Sequence, residues 1–192
     1  MEKDGKKYTR VSTIIQYFKK MEPKFNQIPL FILEKKGKLG TEVHKAIEAN
    51  FKDEFYPLDE KASGYYESFE KWKEDKLKKK FEFLKSEQRF FDEKNKITGC
   101  IDLLIIQPGK TLPSIVDFKT SVEEDKIYWP LQGSFYFDLT ECACEEEIFF
   151  VKLDKKGDFP EEFSYKYNSL VKALKEVYFY LTKENIYDKI DS

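Results

Sequence analysis

Two carboxylates and a lysine carry the clearest chemistry in this sequence: Asp102, and Asp117-Phe-Lys119. They fall in short apolar or β-branched runs, Ile97 to Ile106 and Ser114 to Lys119, which are strand signals. Alternation along a strand puts Asp117 and Lys119 on one face, so a cation-ligating carboxylate stands beside an ammonium that can handle a water. If the two strands pair, Asp102 and Asp117 can share one divalent ion, and oxygen ligands favour Mg²⁺ or Mn²⁺. A Ca²⁺-stabilised structural site is the poorer reading, because Lys119 would repel that ion without chemical purpose. Gly40-Thr-Glu-Val-His44 and Gln132-x-x-x-Tyr136 complete an ordered set. Gln132 and Tyr136 lie one helical turn apart on one face. His44, the only histidine, shares a stripe with Gly40 and Glu48 rather than with Val43 and Ile47. Taken alone, a histidine so placed is more often a surface or satisfied core residue than a ligand.

The elements that must position these residues follow from periodicity and turn signals. Thr13 and Gln16 have capping-box spacing, which predicts a short helix over 14–20. Pro23 and Pro29 bracket a turn, and Pro29 is placed to start a helix that Gly37 and Gly40 interrupt. Leu39, Val43, Ala46 and Ile47 then recur at helical spacing. Ala62, Tyr65, Tyr66, Phe69, Trp72 and Phe83 predict a long helix between Asp59 and Phe83 with a Lys- and Glu-rich outer face. Consecutive strands are expected at 87–91, 97–106 and 114–119, a helix at 129–139, strands at 148–153 and 163–167, and a last helix at 170–181. The expectation is one α/β domain over 1–192, with a helical part to about residue 83 and a sheet-containing catalytic core from about 84.

Composition sets limits on function. Hydrophobic residues make up 41% of the chain and aromatics 17%, which excludes intrinsic disorder. Thirty-four basic against thirty-six acidic residues leave a net charge of -2, so any anionic partner must be held by a local patch. Cys100, Cys142 and Cys144 have no paired spacing and read as reduced thiols, and no iron-sulfur cluster is expected. No apolar run approaches the roughly 20 residues needed to cross a bilayer, and the Lys-rich start lacks an apolar signal core. A cytoplasmic protein without a membrane partner is expected.

The ordered set resembles the PD-(D/E)xK nuclease superfamily, specifically its RecB-like branch with the Cas4 nucleases, phage exonucleases and the mitochondrial genome maintenance exonuclease. The resemblance runs from Tyr8-Thr-Arg-Val-Ser-Thr-Ile-Ile15 through Gly40 to Glu48, Gly99-Cys-Ile-Asp102 and Asp117-Phe-Lys119 to the final helix, and so covers nearly the whole chain. It implies a restriction-endonuclease-like core, a central mixed sheet flanked by helices. It also implies a metal-dependent DNA exonuclease, with DNA as partner, single-stranded or end-containing, and a recombinase, helicase or other DNA-processing protein alongside. Carried over, it makes His44 a metal ligand, Asp102 and Asp117 the metal carboxylates, and Lys119 the residue that positions or activates water. Gln132 and Tyr136 become the element that supports the site and contacts DNA. Ile101 stands where the superfamily name has proline, and the four-cysteine cluster of many Cas4 proteins has no counterpart. The cluster-free exonucleases are therefore the closer likeness. An inactive DNA-binding or structural module of the same fold, or an endonuclease with the same metal site, is the alternative.

Further residues carry two readings each. Glu87 is a ligand for a second metal or an ordinary exposed strand residue. Glu48 accepts the second imidazole N–H of His44 or faces solvent. Thr120 and Ser121 hydrogen-bond a phosphate oxygen or merely end the strand. Lys76, Lys78, Lys79 and Lys80 grip phosphates or, the favoured reading with Glu74, Asp75 and Glu82 nearby, form solvated surface. Tyr65, Tyr66, Phe69 and Trp72 stack bases or, at helical spacing, fill the core.

Overall fold

The computed structural model describes residues 1–23, 27–141 and 143–183. The chain opens with a hairpin of β1 (Glu2–Lys3) and β2 (Lys6–Lys7), whose turn places Asp4 and Gly5 at φ 51° and 70°, the left-handed pair that a tight hairpin requires. Then come β3 (Thr9–Arg10), α1 (Val11–Lys20), α2 (Leu30–Phe51), α3 (Glu60–Lys78), β4 (Glu82–Asp92), β5 (Ile97–Ile106), β6 (Ser114–Lys119), α4 (Tyr128–Leu139), β7 (Glu147–Lys152), β8 (Glu161–Lys166) and α5 (Leu170–Lys183). The expected α/β class, with a central mixed sheet flanked by helices, is what these elements build. The sheet runs β4-β5-β6-β7-β8, with β3 lying parallel against the start of β5. All neighbours along that run are antiparallel except β6 and β7, which are parallel. The chain returns between those two through α4, as a parallel pair requires.

Apolar side chains cover both sheet faces. One cluster holds Val11, Ile14, Leu104, Ile115, Phe135, Ile148 and Phe150 with α1, α4 and α5. The other holds Val43, Ile47, Phe69, Trp72, Leu103, Val116 and Phe118 with α2 and α3. Ile97 and Ile101 belong to the first cluster, whereas Leu103 and Ile105 belong to the second. The two-residue alternation of β5 therefore slips by one across Asp102.

Several boundaries depart from the sequence expectation, among them the start of β4 at Glu82 rather than 87. α1 begins at Val11, not after Thr13, and its N-cap Arg10 makes no side-chain cap. Burial of Val11, Ile14 and Ile15, an i, i+3, i+4 stripe, starts the helix three residues before the capping box would. α2 runs through Gly37 and Gly40 without a break. α3 stops at Lys78 and does not reach Phe83, which lies in β4. Its end is a Schellman turn: Phe81 N–H donates to Lys76 O and Lys80 N–H to Leu77 O, both at 3.0 Å, with Lys80 at φ 63° in place of the usual glycine. Tyr65, Phe69 and Trp72 are buried in the core, and Tyr66 packs half-buried against it. Three of the four lysines in the run are paired with carboxylates, and Lys80 is exposed. Lys76 is buried with Nζ 2.7 and 2.8 Å from the two oxygens of Glu162, Lys78 pairs with Glu74 and Lys79 with Asp75.

Among the described residues no helix is long and apolar enough to cross a membrane. Cys142 lies outside the described residues, and Cys100 and Cys144 are free thiols.

The start of α4 is fixed by Asp125. Its Oδ1 accepts from the N–H groups of Tyr128 (2.8 Å) and Ile127 (3.3 Å), and its Oδ2 accepts from Lys19 Nζ of α1 (2.6 Å). Burial pushes the carboxyl up, but Lys19 and these N–H groups outweigh it and hold it below the ordinary aspartate value. Asp125→Ala should therefore destabilise the fold by about 1 kcal/mol, the usual scale for a lost helix-end cap. A carboxyl lowered in the folded state stabilises above its unfolded pKa, so this difference should shrink as pH falls through the acid range. Urea unfolding of both proteins at neutral and acid pH checks the magnitude and the sign.

Candidate metal centre

Asp102 and Asp117 stand across from each other where β5 and β6 stop pairing. The ladder joins Leu103 to Val116, Leu104 to Ile115 and Ile105 to Ser114. One step on, the Phe118 N–H donates instead to Asp102 Oδ2 at 2.7 Å. A side chain has replaced a strand carbonyl, and both carboxylates are buried in the fork. Burying like charges together requires compensation, and two groups of side chains supply it.

The first group is on the α4 side. Lys119 Nζ forms an ion pair with Asp117 Oδ2 and donates to Gln132 Oε1 at 2.9 Å. Gln132 Nε2 donates to Asp117 Oδ1 (3.2 Å) and to the Tyr136 hydroxyl (2.8 Å). One amide thus satisfies an ammonium, a carboxylate and a phenol at once. Burial pushes the Asp117 carboxyl upward, Lys119 opposes that, and Asp102 adds to it. The second group is on the α2 side. His44 Nδ1 lies 3.2 Å from Asp102 Oδ1 and 3.8 Å from Glu87 Oε1, and one ligand atom from each of the three residues falls within 4.8 Å of the others. Burial pushes the imidazole down, but Asp102, Glu87 and Asp117 together carry it up to about 10. The cluster demands positive charge.

Glycines let the helices come this close. A Cβ on Gly99 would sit 2.8 Å from both Tyr136 Cε1 and Leu139 Cδ1, so β5 meets α4 with no side chain between them. A Cβ on Gly40 would lie 3.3 Å from Thr120 Oγ1, where α2 passes the end of β6.

The sequence-derived residues sort as follows. His44, Glu87 and Asp102 come together as one group, and Glu87 is not set apart at a second position. Asp117 lies beside that group with its oxygens turned to Lys119 and Gln132. Tyr136 is buried, with its hydroxyl accepting from Gln132 and its ring packed on Gly99, which is the supporting half of its expected role. Glu48 does not hold the imidazole. Its carboxylate takes Lys52 Nζ at 2.6 Å, an i,i+4 pair on the same helix. Ser121 is exposed and donates to Glu123 O at 3.0 Å, so it shapes the loop after the strand, while Thr120 lies half-buried against α2. Sequence reasoning missed the Phe118 N–H and Cys100. The Cys100 thiol donates to Glu87 Oε2 at 3.1 Å and is pushed up to about 12 by burial and by Glu87. Its position two residues before Asp102 on one strand was the signal that could have found it.

The donor set fits a hard divalent ion: one imidazole, carboxylates of Glu87 and Asp102, and nearby Asp117, whose Oδ2 has the Lys119 ion pair but no hydrogen bond. No protein-family model matches the chain, and no curated protein matches it. Among solved structures, the crystal structure of SSO0001 is similar with a TM-score of 0.52 and 12% identity, covering 96% of this chain and 79% of that one. At that identity the likeness concerns the fold alone.

The close approach at Gly99 is testable. Gly99→Ala should lower the unfolding free energy by about 1–3 kcal/mol through overpacking. Combined with Tyr136→Ala, which vacates the space, the loss should be smaller than the sum of the two single losses. Equilibrium denaturation of the four proteins measures this coupling.

Proposed function

We propose that this chain is a metal-dependent deoxyribonuclease that hydrolyses phosphodiester bonds at DNA ends. The observation that carries this reading is the convergence of His44, Glu87 and Asp102 with the Asp117–Lys119–Gln132 network in one fork. His44, Glu87 and Asp102, with Asp117 adjacent, are the residues that would hold Mg²⁺ or Mn²⁺. Such an ion, when bound, stabilises charge on a scissile phosphate and acidifies a coordinated water. Lys119 Nζ, fixed by Asp117 and the Gln132 amide, offers N–H donors at the mouth of the fork to orient an attacking water. Tyr136 keeps Gln132 in register, and buried Asp102 holds β6 through the Phe118 N–H.

The DNA path that best fits the charges differs from the one the lysine run suggested. Lys76, Lys78 and Lys79 are spent on carboxylates. Lys35, Lys36, Lys38 and Lys45 lie exposed on α2, the helix that carries His44, and among the described residues they form no ion pair. Lys38, Thr41 and Lys45 line a shallow cavity of about 720 Å³ together with Glu34 and Glu42, the latter accepting the Asp59 N–H. We assign the phosphate track to this stretch of α2, leading to His44.

Incubating the protein with end-labelled linear DNA and closed circular single-stranded DNA, in Mg²⁺, Mn²⁺ or EDTA, tests the reading. Cleavage of linear DNA should need the ion and a free end. Asp102→Asn, Asp117→Asn and Lys119→Ala should each lose at least about 100-fold in turnover, the scale of a removed transition-state contact. Binding without cleavage in any ion would select the inactive module, and equal cutting of circles would select an endonuclease.

The phosphate track has its own test. Lys38→Gln with Lys45→Gln should weaken DNA binding and reduce the slope of log affinity against log salt by about two, one per lost phosphate contact. Lys78→Gln with Lys79→Gln should leave the slope unchanged.

A further inference from the structure

Glu87 is the one described non-glycine residue with a left-handed backbone inside a strand. Asp4, Asp53, Lys80, Lys96 and Glu141 also have positive φ, but each sits in a turn or beyond a helix end. Glu87, at φ 48°, lies in the middle of β4, between the ladder pairs Ser86–Leu103 and Gln88–Ile101. It thus stands across from Asp102, where the alternation of β5 slips. A left-handed glutamate is strained, and strain of this kind persists only where surrounding contacts over-determine it.

Those contacts fall on its carboxylate. Oε1 faces His44 Nδ1 at 3.8 Å, and Oε2 accepts the Cys100 thiol at 3.1 Å. The two oxygens have different partners, so the plane of the carboxylate is fixed, and the S–H is the hydrogen-bond donor on the side away from His44. Cys100 itself does not belong to the three-residue group of ligand atoms. The thiol thus contacts one member of the group without belonging to it.

We propose that Cys100 is a positioning residue of the cation site, its thiol holding Glu87 Oε2 so that the left-handed backbone aims Oε1 at the point shared with His44 and Asp102. The proposal rests on the reading that this cluster takes up a divalent ion. It also predicts which substitutions are interchangeable. Serine keeps an O–H donor at the same place, whereas alanine keeps the strand but donates nothing.

Mn²⁺ titration of the full chain, with free Mn²⁺ read by electron paramagnetic resonance, tests it, alongside thermal unfolding in EDTA. Cys100→Ala should weaken Mn²⁺ binding about three- to tenfold, near the lower end of the scale on which residues supporting a metal ligand act. Cys100→Ser should restore most of that affinity. Adding Cys100→Ala to Glu87→Ala should change nothing further, because the thiol acts through the carboxylate. Glu87→Gly should bind Mn²⁺ as weakly as Glu87→Ala yet unfold at a higher temperature, since glycine takes a positive φ without strain. Wild-type affinity in Cys100→Ala, or an equal loss with and without Glu87, would overturn the proposal while leaving the cation reading intact. The proposal also falls if Cys100→Ser fails like Cys100→Ala and both unfold early in EDTA, since the effect would then be packing. An Mn²⁺-blind wild-type protein would overturn both.

Discussion

Asp102 and Asp117 are buried side by side at the point where two antiparallel strands separate, and much of the architecture around them serves to make that burial tolerable. An unpaired carboxylate removed from water costs several kcal/mol, and a second one beside it raises the cost. Each is therefore tied to groups from a different layer: Asp102 to a β6 backbone N–H and to His44 of α2, Asp117 to Lys119 of its own strand and to Gln132 of α4. The helices on the two sheet faces meet through these carboxylates. Moving α2 by a turn would take His44 from Asp102, and moving α4 would take the Gln132 amide from Asp117.

That requirement explains local features that packing alone would not select. Gly99 thins β5 where the Tyr136 ring must pass, so that its hydroxyl can reach the Gln132 amide. Glu87 adopts a backbone that a glutamate elsewhere in a strand would avoid, and β5 loses its alternation opposite it. These rule-breaking residues cluster within one site, while β6, β7 and β8 keep regular register. Such concentration motivates the proposed functional reading of this fork.

What could be read from the sequence divides along the range of the interactions. Asp-x-Lys on a strand and Gln-x-x-x-Tyr on a helix are set by periodicities of a few residues, and both pairs do share a face. Pro29 starts α2 as its fixed φ suggests. The end of α3 was hidden because Lys80, not glycine, takes the left-handed position of its closing turn. The capping box at Thr13 failed because an apolar stripe two residues earlier already committed the chain to helix. Lys76 looked like solvent-facing charge because its partner Glu162 is 86 residues away. Glu48 lies one turn after the histidine, yet the lysine one turn further on holds it. Only Lys76 was decided by a distant contact; at Thr13, Lys80 and Glu48 a competing local feature decided the outcome.

The same distinction bears on electrostatics. A net charge of -2 describes the average over the surface, whereas the fork responds to charges within a few ångströms. There, Glu87, Asp102 and Asp117 are faced by Lys119 and by an imidazole whose ordinary state near neutrality is largely uncharged. Burial alone would make that imidazole still harder to protonate, but the three carboxylates reverse the effect and carry it up to about 10. A site that draws a proton onto histidine against the cost of burial is short of positive charge. On the proposed reading, a divalent ion held by the same oxygens would meet that shortage, with neutral His44 as its nitrogen ligand. Protonated histidine and, on the proposed reading, metal would thus be alternative answers to one electrostatic demand, set by where β5 and β6 part.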